Sequence, residues 1–196
     1  MSEKPIMTEK PSKKDLLLEA GLDIFYSRGF DRATIDEIVD RAGCGKGTFY
    51  RYFQNKELLF DALEKRFRDM LMLELEEQCP YSLPVDQFLR AALHSLFKIF
   101  RINHRLGLVK MARDQQTGRA ASDYDRMPPG LAYIFTYLKS AADRGHIRKL
   151  RCEALLACLL GAVHFFLFRD SKLCIPVSDQ ELEDTIDILL HGVLPS

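Results

Sequence analysis

Apolar residues recur at helical spacing along almost the whole chain, and strict apolar and polar alternation never persists long enough to suggest a strand. The pattern predicts an all-α protein of about nine helices. The first covers residues 13–28, where Leu17, Leu18, Gly21, Ile24 and Phe25 form one stripe and Gly29 supplies a C-terminal cap. Thr34, followed three residues later by Glu37, reads as the capping box of a short second helix that buries Ile35, Ile38 and Val39 and stops at Gly43. A third short helix, 46–53, sets Phe49 and Phe53 four residues apart on one side. Asn55 caps a longer fourth helix, with Leu58, Leu59, Ala62, Leu63, Phe67, Met70 and Leu71 apolar, until "CPYSLP" breaks the pattern with two prolines.

Five more helical segments follow, at 84–103, 106–115, 131–145, 151–168 and 179–193, and "TGRAASDYDRMPPG" is the longest irregular stretch between them. No internal repeat or low-complexity tract interrupts the series. The expected organisation is a small N-terminal helical domain, 11–71, and a larger helical domain, 72–196.

The balance of 47% hydrophobic and 29% charged residues is that of an ordinary globular chain. With 28 basic and 28 acidic residues the net charge is zero, so no global positive field draws in a polyanion, and any nucleic-acid binding must rest on a local patch. The cysteines, Cys44, Cys79, Cys152, Cys158 and Cys174, are odd in number and contain no Cys-x-x-Cys pair. Neither a disulfide framework nor a zinc site is suggested, and reduced thiols in the cytoplasm are expected. The polar start "MSEKPIMTEKPSKK" is no secretory signal. The most apolar run, 154–168, contains His164 and falls short of the roughly 20 residues of a membrane span, so it reads as a buried helix.

Candidate chemistry concentrates in "GCGKGTFYRYFQNK", residues 43–56. A nucleotide-binding loop needs Gly-x-x-x-x-Gly-Lys-[Ser/Thr] leaving a strand. Here Asp40 stands where the first glycine belongs, Gly47 separates the lysine from Thr48, and the preceding "IDEIVDRA" is helical. Two short helices joined by a tight turn suit the residues better, because the second can enter a DNA major groove while the first crosses the backbone. Gly43 and Gly45 let the chain reverse, and Gly47 lets a phosphate approach without a Cβ in the way. Lys46, Arg51 and Lys56 share an 11-residue span without an acid, whereas residues 1–66 together hold 12 basic and 12 acidic side chains. Phosphate contact is expected from Lys46, Lys56, Tyr52 and Thr34, and base contact from Thr48, Tyr50 and Arg51. Tyr50 and Tyr52 as packing aromatics is the alternative.

The stretch "TIDEIVDRAGCGKGTFYRYFQNKELL" resembles the helix-turn-helix of the TetR family of transcriptional regulators, and "DIFYSRGFDRATIDEI" fits the helix before it. The likeness covers residues 11–71, with the helix-turn-helix at about 34–53. Cys44 and Gly45 depart from the Val-Ser that often precedes the lysine. Glycine at an N-cap costs only a few tenths of a kcal/mol against serine, but one hydroxyl is lost. Cys44 reads either as a small buried hydrophobe or as a thiol poised to sense oxidants.

The resemblance implies a homodimer built on the last two helices, a cavity for a small effector in the body, and repression of a palindromic operator. The sequence adds that 151–168 is apolar nearly all round, which suits either a dimer seam or a central core helix. Expected interface residues are Leu155, Cys158, Leu159, Ala162, Leu182, Ile186, Leu189 and Leu190. For the effector, Phe97, Phe100, Leu108, Met111, Tyr133, Tyr137, His164 and Phe168 are candidates, and they point to a hydrophobic or aromatic molecule. His164 as a satisfied core histidine is the alternative reading there. No cofactor or metal is expected. An enzyme has no Gly-x-Ser-x-Gly or His-Glu-x-x-His to stand on, and a helical interaction module without DNA binding remains the other alternative.

Overall fold

The computed structural model describes residues 11–117, 127–148 and 151–193. In chain order the helices are α1 (Lys13–Arg28), α2 (Ile35–Arg41), α3 (Lys46–Tyr52), α4 (Lys56–Gln78), α5 (Val85–Ile102), α6 (His104–Thr117), α7 (Pro129–Asp143), α8 (Cys152–Lys172) and α9 (Asp179–Val193). Among the described residues there is no strand. The N-terminal ends follow local chemistry. Ser12 and Thr34 each close a capping box with the acid three residues on, and Asn55 Oδ1 accepts the Leu58 N–H at 2.9 Å. At α7 the pattern places the start too late: Pro129 is tolerated in a first helical turn, where its missing N–H is not needed. The rest of the expected irregular stretch, 118–126, lies outside the described residues.

Two apolar cores organise the chain. The smaller joins Leu17, Phe25, Phe30, Ile38, Phe49, Leu59 and Phe60 from α1–α4. Its rings Phe25, Phe30 and Phe60 meet with centroids 5.0 to 5.9 Å apart. Gly21 lets α1 cross close to α4: a Cβ there would come within 2.5 Å of Leu59 Cδ2, and that buried side chain would have to shift. The larger core draws on α4, α5, α7, α8 and α9, with Phe88, Leu93, Leu96, Ile134, Leu138, Leu159 and Ile186 among its buried members.

The two units share elements rather than meeting at a linker. The single helix α4 starts in the first core and delivers Leu71 and Leu75 to the second, while Leu106 and Val109 of α6 reach back into the first. Ion pairs reinforce that contact: Asp23 on α1 accepts from Arg105 of α6 at 2.9 Å and from Arg41 of α2 at 2.8 Å, and Lys110 of α6 meets Glu64 of α4 at 3.0 Å. The end of the helix-turn-helix domain at residue 71 is thus a point inside a continuous helix.

Helix α8 corrects one expectation. It is 21 residues long and buries one side only: Leu155, Leu156, Leu159, Val163 and Phe166 face the core, while Phe165 and Phe168 are 58% and 53% exposed. By length and composition it could cross a membrane, but its buried stripe packs on α5 and α7.

Candidate nucleic-acid interface

The turn between α2 and α3 is set by backbone geometry. Gly43 takes φ +61°, in the left-handed region that costs a side-chain-bearing residue about 1–2 kcal/mol. Its N–H donates to Asp40 O at 3.2 Å, and the Cys44 N–H to Val39 O at 3.0 Å, which closes α2. Cys44 is half-buried against the smaller core, and Gly45 caps α3 with its carbonyl alone, accepting from Thr48 N at 2.9 Å. A Cβ on Gly47 would meet nothing within 4 Å. The space over that backbone is open to solvent.

Phe49 and Phe53 of the "TFYRYF" run are buried in the core, and they fix the rotation of α3. Tyr50, Arg51 and Tyr52 are therefore turned outward, with Tyr50 55% exposed. The Tyr50 ring stands edge-on to Phe49 at 5.6 Å, and the Arg51 guanidinium lies 5.0 Å from the centre of the Tyr52 ring. Thr48 is half-buried. The face thus presents a guanidinium, two phenols and a glycine opening, the groups needed for hydrogen bonds to base edges and phosphates.

Three expected contact residues have prior engagements. The Thr34 hydroxyl accepts the Glu37 N–H at 3.3 Å and donates to Glu37 Oε2 at 3.0 Å. Glu37 in turn is held below the usual carboxylate range, first by the Thr34 backbone N–H and then by that hydroxyl. Lys46 is bonded to Asp36 Oδ1 at 2.7 Å, which raises its pKa. Lys56 points inward from the end of the turn: its Nζ donates to the carbonyls of Phe30, Asp31 and Ala33 at 2.9, 2.8 and 3.2 Å and lies 4.9 Å from the Phe30 ring centre. All three ammonium protons are committed to the α1–α2 loop, so this lysine ties α4 to the start of α2. Reasoning along the sequence missed Asp36, which reaches Lys46 from the preceding helix. It also passed over Arg32, exposed in the loop two residues before the Thr34 cap; a lone basic residue beside a capping box was the available signal.

Residues 17–63 match the family described as "Bacterial regulatory proteins, tetR family". These residues carry the DNA-binding domain of that family. It is 29% identical over 133 residues to an uncharacterised HTH-type transcriptional regulator of Bacillus subtilis, YhgD, with 68% of this chain and 69% of that protein aligned. A TetR family regulator from Marinobacter aquaeolei has the same fold, with TM-score 0.77, 18% identity, and coverage of 94% of this chain and 96% of the other. The ketosteroid transcriptional regulator KstR2 of Mycobacterium tuberculosis superposes with TM-score 0.73 at 20% identity, covering 96% and 98%. With that domain the chain is a DNA-binding transcriptional regulator.

In the body of this TetR-family fold the expected effector residues separate into groups. Tyr133 and Tyr137 are tied to the α4–α5 connection, donating to Cys79 O at 3.0 Å and Leu83 O at 2.6 Å, and Tyr137 stacks on Phe88 with centroids 3.5 Å apart. Phe97 meets Phe166 at 6.2 Å and Phe100 meets His164 at 6.0 Å, both pairs bridging α5 and α8. The His164 Nδ1–H donates to Leu160 O at 2.8 Å. Leu108 instead lines a cleft of about 530 Å³ beside Phe30 and Arg113, between the α1–α2 loop and α6. Phe168 is on the exposed side of α8, and the Met111 side chain lies outside the described residues.

The expected interface residues divide as well. Leu155, Leu159, Leu182, Ile186 and Leu190 are buried in the chain's own core, so they are not available to a second copy. Cys158 is exposed, and Ala162 and Leu189 are half-buried. The apolar surface that α8 and α9 leave open consists of Ala154, Ala157, Cys158, Phe165 and Phe168, with Ile188 of α9 at 74% exposure. Five of the eight expected residues thus face the chain's own core, and on α8 an apolar pattern nearly all round gives no periodic signal for which side is inward. Ion pairs hold α9 to α5: Arg90 engages Glu183 and Asp187, and His94 Nε2 lies 2.8 Å from Glu183 Oε1.

Proposed function

We propose that this protein is a cytoplasmic, homodimeric repressor that binds a palindromic operator and is released by a small hydrophobic effector. The observation that carries the DNA-reading assignment is the division of α3: Phe49 and Phe53 are locked in the core while Tyr50, Arg51 and Tyr52, beside the open backbone of Gly47, face outward. Thr48, Tyr50 and Arg51 contact base edges in this reading. Lys46, Tyr52 and the missed Arg32 contact phosphates. Lys56 acts indirectly, by holding the α1–α2 loop from which α2 starts.

A dimer is supported by the apolar side of α8 around Phe165 and Phe168, since a large exposed apolar patch marks an interaction surface. Two copies joined there bring two α3 helices to one duplex, and reading successive major grooves requires a spacing of about 34 Å. We propose that the effector binds at the contact of α5 with α8, by displacing the packed rings of Phe97, Phe100 and Phe166 beside the exposed His164. The name of KstR2 as a ketosteroid regulator accords with an apolar ligand. The effector acts by binding the DNA-released form more tightly, and α4, which spans both cores, carries the shift. Catalysis has no part in this reading.

Selection of bound duplexes from a random pool tests it. A palindromic motif is expected, and absence of any enrichment overturns the assignment. Sedimentation of the free protein at micromolar concentration is expected to give a dimer.

A further inference from the structure

Lys46 opens α3 on its exposed side, yet its Nζ lies 2.7 Å from Asp36 Oδ1 of α2, and both side chains are more than half exposed. A surface pair of this kind contributes little to folding stability. Asp40, one turn further along α2, adds its charge to the same ammonium. Glu37, the other acid of that helix, is held in the Thr34 capping box and near Arg28. Two acids of α2 therefore act on the first cation that α3 presents.

A phosphate oxygen bonded to Lys46 while Asp36 kept its place would lie within about 5.5 Å of the carboxylate, the sum of two charge-assisted hydrogen bonds. Like charges at that separation repel. DNA must displace Asp36 or bind against it. We propose that Asp36 is an affinity-limiting residue, an internal competitor that holds Lys46 in the free protein and weakens its phosphate contact on every DNA sequence alike. This rests on the DNA-reading assignment above. Because phosphate contacts supply essentially all of non-specific binding, damping one of them leaves base contacts from α3 a larger share of the total and keeps the complex readily dissociable.

The test measures anisotropy of two labelled duplexes, one selected from the random pool and one scrambled, over a range of KCl concentrations. Asp36→Asn is expected to tighten both by about three- to tenfold at low salt and to steepen the slope of log K against log salt by close to one. Lys46→Met should flatten the slope, and the double variant should match Lys46→Met alone. Circular dichroism and thermal melting of each variant establish that it is folded. Wild-type affinity and slope for Asp36→Asn would overturn the proposal, as would persistence of its effect in the Lys46→Met background. Weaker binding confined to the selected duplex overturns it too, and shows Asp36 reading a base. If the wild-type protein retains neither duplex, the DNA-reading assignment fails together with this one; if it binds in a salt-dependent way and Asp36→Asn changes nothing, this one fails alone.

Discussion

Helices α3 and α8 both turn two aromatic rings toward solvent, but the rings differ. On α3 they are Tyr50 and Tyr52, beside Arg51; on α8 they are Phe165 and Phe168, beside Ala157, Cys158 and Gly161. A phenol presents an apolar ring and a hydrogen-bonding tip, and so fits a partner with polar edges such as a duplex groove. A phenyl ring has no such tip and gains only by leaving water. The helices also differ in how they are held: seven residues of α3 are fixed by Phe49 and Phe53, whereas α8 anchors one of its sides along its whole length. Exposed aromatics alone do not identify a site. Their chemistry, and what locks the opposite side of the helix, does.

The strongest way to break this comparison is to charge the α8 surface. Phe165→Asp combined with Phe168→Asp is expected to convert a sedimenting dimer to a monomer with unchanged helix content, and a wild-type monomer would remove the premise. Next in size, Phe49→Ala should destabilise the reading unit by about 3–5 kcal/mol in urea unfolding. Tyr50→Ala should stay within about 0.5 kcal/mol while losing DNA retention. Equal losses for the two would show that both sides of α3 are structural.

Lys56→Met sharpens the boundary between reading and support. Losing three bonds from a charged donor should cost about 2 kcal/mol, with the salt dependence of DNA binding unchanged in the folded fraction. A shallower salt slope would instead return Lys56 to the phosphate contacts.

The smallest effect lies at the end of α8. Glu181 is held down to about 2, first by the Arg169 guanidinium at 2.5 and 3.0 Å and then by the Ser178 N–H. A depressed carboxylate contributes fully above its ordinary value near 4.5, and that contribution disappears as pH falls from there to about 2. Glu181→Gln should therefore lower the melting temperature slightly at neutral pH, and the difference from wild type should shrink below about pH 4.5 and vanish as pH falls through about 2.

Much of the fold was legible because its signals are local. The capping box at Thr34, the turn at Gly43 and the inward pair Phe49 and Phe53 each depend on residues within a few positions of one another. The spacing of Tyr50, Arg51 and Tyr52 against those phenylalanines was enough to turn them outward. By itself, then, the sequence determined an all-helical chain with a TetR-type N-terminal domain and which side of α3 faces outward. Only the tertiary structure decided which lysine is available, since the carbonyls that hold Lys56 lie 23 to 26 residues earlier and the acid that holds Lys46 belongs to another helix. It also decided which side of α8 is outermost and that Tyr133 and Tyr137 serve the α4–α5 connection. In each case the deciding partner is distant in sequence, and helical periodicity records how a side chain points along its own helix without recording what stands opposite.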